Sequence, residues 1–230
     1  MNTAHQVLTV KHLSAGYGKK QVLFDVSFDV TAGELVLVSG GNGSGKSTLL
    51  KAVFGLLPPW DERARVSFQP RPGMPPVPTT PVAENLSRGL AYLPQKNGVF
   101  DDLTVDENLQ VSYGVHRDHK NTRAETLEAF PKLGPLLRRL AGKLSGGERQ
   151  MLALGMVLFH KPHLLLLDEP TAGLSEDAAQ TILGRLATLR ASHGFSVLLV
   201  EHRLHVANIV ADRHISLTLG RLGGTNDPVI

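Results

Sequence analysis

The sequence contains no cysteine, which excludes disulfides and thiolate-bound metals and fits a reducing compartment. No run approaches the ~20 apolar residues that a membrane-spanning helix needs. Residues 1–18 are polar and lack the charged-then-apolar pattern of a secretion signal, so any work at a membrane is expected to pass through other chains. Surplus charge is scarce too, with 24 Lys and Arg against 21 Asp and Glu. So even a balance leaves no basic domain of the kind that grips nucleic acid, and no nucleic-acid partner is expected. Internal repeats and coiled-coil heptads are missing as well.

What is present is an ordinary globular composition: 230 residues, 42% hydrophobic and 20% charged, enough for a full core in one compact unit with subdomains. Residues 7–13 and 22–30 partly alternate apolar and polar side chains and are broken by Gly16, Gly18 and Thr31-Ala32-Gly33, which predicts short antiparallel strands. Residues 34–39 form an almost continuous apolar run entering a glycine-rich turn, the pattern of a buried parallel strand feeding a helix. Helical spacing over 46–54 ends at Gly55, with Pro58 and Pro59 beyond. Eight of the fourteen prolines lie from Pro58 to Pro81, too many missing donors for regular structure, so a surface excursion with one strand at 65–69 is expected. Residues 104–140 read as mostly helical, broken at Pro131, Gly134 and Pro135. Apolar runs at 164–167 and 197–200 flank a helical stretch at 175–190, which predicts a right-handed parallel unit of strand, helix and strand.

The strongest chemical signal is Gly40-Gly41-Asn42-Gly43-Ser44-Gly45-Lys46-Ser47. It satisfies G-x-x-x-x-G-K-[ST] after a predicted buried strand and before a helix, the context this phosphate loop requires. Backbone N–H groups without an obstructing Cβ can wrap a polyphosphate, and the helix N-terminus adds partial positive charge. Lys46 would neutralise the β- and γ-phosphates of ATP, and the Ser47 hydroxyl would ligate Mg²⁺. The second signal is Asp168-Glu169-Pro170 at the end of an all-leucine strand, where open α/β sheets bind ligands. Asp168 would hold Mg²⁺ and Glu169 would polarise the attacking water. Two acids after a strand are more often a helix cap; beside a phosphate loop the catalytic reading prevails.

A phosphate loop with such acids specifies only a nucleotidase. Leu144-Ser145-Gly146-Gly147-Glu148-Arg149-Gln150 narrows it, because here the chain resembles the ATP-binding-cassette family, whose signature is LSGGQ or a close variant. Physically, Ser145 and the glycine pair open a predicted helix whose N-terminus can present N–H groups to an anion. Three further matches occur in the family's order. Tyr17 resembles the aromatic that stacks on adenine, Gln95 the glutamine that touches Mg²⁺ and the attacking water, and His202 the switch histidine that contacts the γ-phosphate. Two departures stand out: Ser175 replaces the usual aspartate of the dimer loop, and Gly41 stands where proline is frequent.

The resemblance implies an α/β fold: a P-loop NTPase (RecA-like) core with an N-terminal antiparallel β subdomain and an inserted helical signalling subdomain at about 100–160, all within one cassette domain over 1–230. It implies catalysis by Glu169, His202, Lys46 and Gln95. ATP contacts would come from Tyr17, Gly40, Gly41, Asn42, Gly43, Ser44, Gly45, Lys46, Ser47 and Thr48, and from Ser145, Gly146, Gly147 and Glu148 of a second subunit. Mg²⁺ would sit at Ser47, Gln95 and Asp168. The implied partners are a second cassette, identical or a sister chain, transmembrane permease subunits, and an extracytoplasmic solute-binding protein reached through the permease, with this chain on the inner face of the membrane. Residues 89–109 and 144–174 are most similar to cassettes of branched-chain amino acid, amide and urea importers. Lipopolysaccharide-export cassettes share part of the pattern, and a soluble cassette ATPase acting on nucleic acid or the ribosome is the rival class, though its usual coiled-coil insertions, Cys clusters or doubled cassettes are absent from this sequence.

Overall fold

Two long alternating segments, Gln6–Tyr17 (β1) and Lys20–Thr31 (β2), pair antiparallel across a tight turn, as their period-2 pattern predicts. Leu8, Val10, Leu13, Val26 and Val30 are all buried. The computed structural model describes residues 5–96, 98–113 and 119–223. Next comes Leu35–Ser39 (β3), buried at every position, followed by the helix Lys46–Val53 (α1).

The proline-rich stretch contains the strand expected at 65–69, but it is built into the antiparallel sheet and is more than a surface excursion. Arg65–Phe68 (β4) pairs with β1 along its whole length, and Val77–Pro78 (β5) extends the sheet further, giving the order β2-β1-β4-β5. The prolines are compatible with this because half of them, Pro70, Pro72, Pro75 and Pro76, lie in the β4–β5 connection, while Pro78 sits on the outermost strand, where a missing N–H costs no ladder bond. Phe68 is 1% exposed and joins the core beneath the sheet.

Leu90–Leu93 (β6) leads into the helices Val105–Tyr113 (α2), His119–Ala129 (α3) and Gly146–Leu158 (α4). A 3₁₀ segment, Pro131–Leu136, occupies the place where Pro131, Gly134 and Pro135 predict a break. Leu164–Asp168 (β7), Glu176–His193 (α5) and Ser196–Val200 (β8) form the expected strand, helix and strand, with β7 and β8 parallel neighbours. After the one-turn helix Leu204–Ala207 (α6) come Arg213–Thr218 (β9) and Arg221–Leu222 (β10), which the sequence pattern does not announce. Polar His214 and Ser216 interrupt any apolar run in β9, and the His214 ring is satisfied by the Ser39 hydroxyl at 2.5 Å.

The second sheet has the order β10-β9-β3-β8-β7-β6. Strands β9, β3, β8, β7 and β6 run parallel, and β10 folds back antiparallel on β9. Its central strands divide their side chains between two cores. Leu37, Leu165, Leu167, Val197 and Leu199 face the helical layer that includes α4 and α5. Val36, Val38, Leu164, Leu166, Leu198 and Val200 face α1 and the antiparallel sheet. This two-sided burial is why these strands read as unbroken apolar runs. Truncating Phe68→Ala, which removes a fully enclosed ring, should lower unfolding free energy by about 3–5 kcal/mol in denaturant titrations; a loss under about 1 kcal/mol would show that residues 58–81 are not part of the core.

Candidate functional site: a nucleotide cleft

All the singled-out strand-end residues emerge at one edge of the parallel sheet, the carboxyl ends of β3, β6, β7 and β8. From β3 the chain enters the loop Gly40 to Gly45. Gly45, the residue before α1, has φ 105°, and a Cβ there would lie 3.0 Å from Leu23 Cδ2. A Cβ on Gly40 would meet the Leu217 carbonyl oxygen at 2.2 Å, so both positions require glycine. The loop is held from outside as well, since the Gly220 N–H donates to the Ser44 carbonyl at 2.9 Å.

Lys46 is almost fully buried, and its Nζ donates to the carbonyls of Gly40 at 2.8 Å and Gly41 at 3.1 Å. Burial holds its ammonium below the usual lysine range, with Glu169 and Asp168 pulling it back up. Beside it, Ser47 Oγ donates to Asp168 Oδ1 at 2.9 Å and Tyr92 OH donates to Oδ2 at 3.3 Å. Burial pushes the Asp168 carboxyl up, opposed by these two hydrogen bonds and by Lys51 and Lys46. A buried carboxylate kept next to a hydroxyl in this way is a hard-oxygen pair of the kind that Mg²⁺ takes, with phosphate and water completing its shell.

Glu169 has φ 48°, a left-handed conformation uncommon for a non-glycine residue. Its N–H donates to the Val200 carbonyl at 2.9 Å, and the turn carries the side chain to the sheet edge. There one carboxylate oxygen accepts from Gln95 Nε2 at 2.6 Å, and the other lies 2.6 Å from His202 Nε2. Three residues from three strand ends thus meet on one carboxylate. Strained backbone at such a junction is where function concentrates.

An open cleft of about 510 Å³, the size of a small-molecule site, runs along this edge. Tyr17, Asn42, Gly43, Gly45, Lys46, Ser47, Thr48, Glu169 and His202 line it. Gly40, Gly41 and Ser44 form the loop behind it, while Gln95 and Asp168 reach it through Glu169 and Ser47. Tyr17 is half-exposed at the margin with Lys51 Nζ 5.8 Å from its ring centroid. Ser145, Gly146, Gly147 and Glu148 are not among its lining residues. They start α4, where Ser145 Oγ accepts from the Glu148 N–H at 3.3 Å and the Glu148 carboxylate accepts from the Ser145 N–H at 2.8 Å, a reciprocal cap. This cap holds the Glu148 carboxyl below the usual range. Gly146 abuts Leu174, and Ser175 caps α5 by accepting from the Ala178 N–H, so the serine in place of aspartate has a structural use.

One functional group escaped the sequence reading. Glu201 is 2% exposed, and its carboxylate accepts from the Thr171 N–H at 2.8 Å, Thr171 Oγ1 at 2.6 Å and the His202 N–H at 3.0 Å. It ties the turn after Glu169 to the residue bearing the imidazole. The available signal was an acid directly after an apolar strand, the same signal that singles out Asp168.

A family model described as "ABC transporter" matches residues 23–172. The chain is 42% identical over 216 residues to the probable branched-chain amino acid transport ATP-binding protein LivF of Archaeoglobus fulgidus, covering 93% of this chain and 89% of that one. It is 38% identical over 218 residues to the high-affinity branched-chain amino acid transport ATP-binding protein BraG of Pseudomonas aeruginosa, covering 94% and 91%. Among solved structures, a nucleotide-free ATP-binding cassette from an ABC transporter superposes with a TM-score of 0.83 at 26% identity, covering 97% of this chain and 92% of that one. The helices offer no membrane span, none among the described residues being long and apolar enough to cross a bilayer. With a phosphate loop and a carboxylate-bearing edge on this fold, and relatives aligned over more than nine-tenths of its length, the chain belongs to the ATP-binding-cassette family of ABC transporter ATPases.

Proposed function

We propose that this chain is the ATP-hydrolysing motor of an importer for branched-chain amino acids or the related amides and urea, working as one of two cassettes beneath separate permease subunits. The observation that carries the mechanism is the Glu169 carboxylate, held between Gln95 and His202 at the mouth of the cleft. The substrate class draws on the LivF and BraG relatives at 42% and 38% identity.

Lys46 and the loop N–H groups would receive the β- and γ-phosphates of ATP, with Tyr17 beside the base. Ser47, Asp168 and Gln95 would hold Mg²⁺, which when bound would offset the charge on the bridging phosphate oxygens. Glu169 would take the proton of the attacking water as general base, and His202 would donate a hydrogen bond to the γ-phosphate, in the region where it now meets Glu169. Gln95 would position the water.

The signature helix lies outside the cleft of its own chain. A second cassette placed head to tail about a two-fold axis would bring Ser145, Gly146, Gly147 and Glu148 onto the phosphates, closing two sites at once. ATP would then act as the glue and hydrolysis as the release, with the helical residues 100–160 passing the change to permeases at the inner face of the membrane. A solute-binding protein would engage the permease from the other side.

Glu169→Gln should keep ATP binding and lose at least ~10²-fold in turnover. Light scattering on that variant behind a sizing column should show a monomer becoming a dimer on adding MgATP; substantial residual hydrolysis would remove Glu169 from the role of base. Glu201→Gln keeps one acceptor oxygen and puts a donor where either the Thr171 or the His202 N–H needs an acceptor. It should lower kcat ~10–100-fold with nucleotide affinity unchanged, and Thr171→Val, deleting one of the same bonds, should do so less. Equal kcat for wild type and Glu201→Gln, measured in steady-state phosphate release, would show that the buried carboxylate only supports the fold.

A further inference from the structure

A second cavity lies at the opposite edge of the parallel sheet. His163 precedes β7, and its backbone is clamped there, its N–H donating to the Gly89 carbonyl at 2.7 Å and its carbonyl accepting from the Ser196 N–H at 2.9 Å. From here to the carboxylates at the other end is the length of a five-residue strand, about 16 Å. The cavity measures about 270 Å³, just below the ~300–1,000 Å³ typical of small-molecule sites. Its lining shares no residue with the nucleotide cleft.

Its floor is aromatic and aliphatic: Phe130 from the end of α3, Phe159 from the end of α4 and Phe195 before β8 are all nearly buried yet line the space. Its rim is cationic. Lys161 is already committed, its Nζ lying 3.0 Å from Glu125. Three other groups are not. The Arg71 guanidinium and the His163 ring make no hydrogen bond or ion pair among the described residues. His193 engages only Nδ1, with the Leu189 carbonyl and Ser192 Oγ, leaving Nε2 free. Arg71 is delivered by the β4–β5 connection, between Pro70 and Pro72. Their fixed φ angles stiffen that segment, and the Met74 N–H donating to the Arg71 carbonyl at 3.3 Å closes its turn. The proline-rich stretch, which the nucleotide chemistry does not use, thus brings a positive charge to this cavity.

We propose that the cavity binds a small carboxylic acid with a branched aliphatic or aromatic tail. The tail occupies the phenylalanine floor, and the carboxylate accepts from the Arg71 guanidinium and the His163 ring, with His193 beside them on the rim. A guanidinium with a free planar fork is suited to a carboxylate, and burying an apolar tail supplies the remaining attraction. Among the described residues Glu125 is the one acid on the rim, and it is neutralised by Lys161, so the rim would repel the ammonium of a free amino acid and accept its des-amino counterpart. The ligand bridges α3, the end of α4, which is the signature helix, and the end of α5, which leads into β8. Burial, reinforced by the Arg71 charge, already depresses the His163 imidazole. A bound carboxylate reverses the sign of that local field, and the imidazole titrates at higher pH when the site is filled. The charged and titratable groups facing His163 across the cavity are Arg71, Glu125, Lys161 and His193.

The test is a titration of the full-length, ¹⁵N-histidine-labelled protein with isocaproate, isocaproamide and leucine, following the ring resonances of His163 and His193, assigned with His163→Gln and His193→Asn. Isocaproate should shift both saturably, raise the His163 titration midpoint, bind at least tenfold more tightly than the amide or leucine, and do so equally when the nucleotide cleft is saturated with ADP. Arg71→Glu, on an exposed turn with no side-chain bond to lose, should weaken isocaproate at least tenfold. The absence of a saturable shift, equal binding of amide and acid, indifference to Arg71→Glu, or displacement by ADP would each overturn the proposal.

Discussion

Burying a parallel strand on both faces leaves only its ends for polar chemistry, and the rest of this structure depends on that constraint. Leu164, Leu166 and Val36 point to one core, while Leu165, Leu167 and Leu37 point to the other. A polar side chain carried along these strands needs a partner to offset its desolvation, as His214 finds in the Ser39 hydroxyl. The loops at the carboxyl edge therefore carry the phosphate loop, the Asp168-Glu169 pair, Gln95 and His202. These residues meet because their strands are adjacent in the order β3-β8-β7-β6, although their positions span more than half of the sequence.

That edge is organised around two buried carboxylates with different work. Asp168 sits under Ser47 and Tyr92, raised by burial and so poised for a compensating cation. Glu201 carries no comparable partner charge; it is satisfied by N–H and O–H groups of the two neighbouring turns. Between them Glu169 is turned outward by its left-handed backbone, so the one acid left partly open to the cleft is the one bonded to Gln95 and His202. A low-dielectric setting strengthens each of these contacts and makes their geometry sensitive to small displacements.

The molecule is also polarised from edge to edge. The carboxyl edge gathers carboxylates against a phosphate-binding loop, while the amino edge gathers Arg71, Lys161, His163 and His193 over an apolar floor. Of the helices that span the two edges, α4 starts at the Ser145–Glu148 cap and α5 at the Ser175 cap, and the far ends of both line the second cavity.

Much of this was legible from residue order alone. The phosphate loop, the acids after β7, the Ser145 cap and the apolar strands are local patterns, since a turn without Cβ atoms, a capping box and a period-2 run are each dictated by neighbours within a few positions. Pairings between distant segments were not legible. Arg65–Phe68 became an interior sheet strand among prolines because β1 offered it a partner, and Arg213–Thr218 became a strand despite its polar residues because β3 lay beside it. Glu201 and the second cavity likewise exist only once β7, β8 and the β4–β5 connection have come together. The sequence by itself determined which groups can bind phosphate and where strands must be buried, because those depend on residue type and short-range spacing. Tertiary structure alone decided which carboxylate faces the cleft and which is sealed under it, because hydrogen-bond partners thirty or more residues apart set that choice.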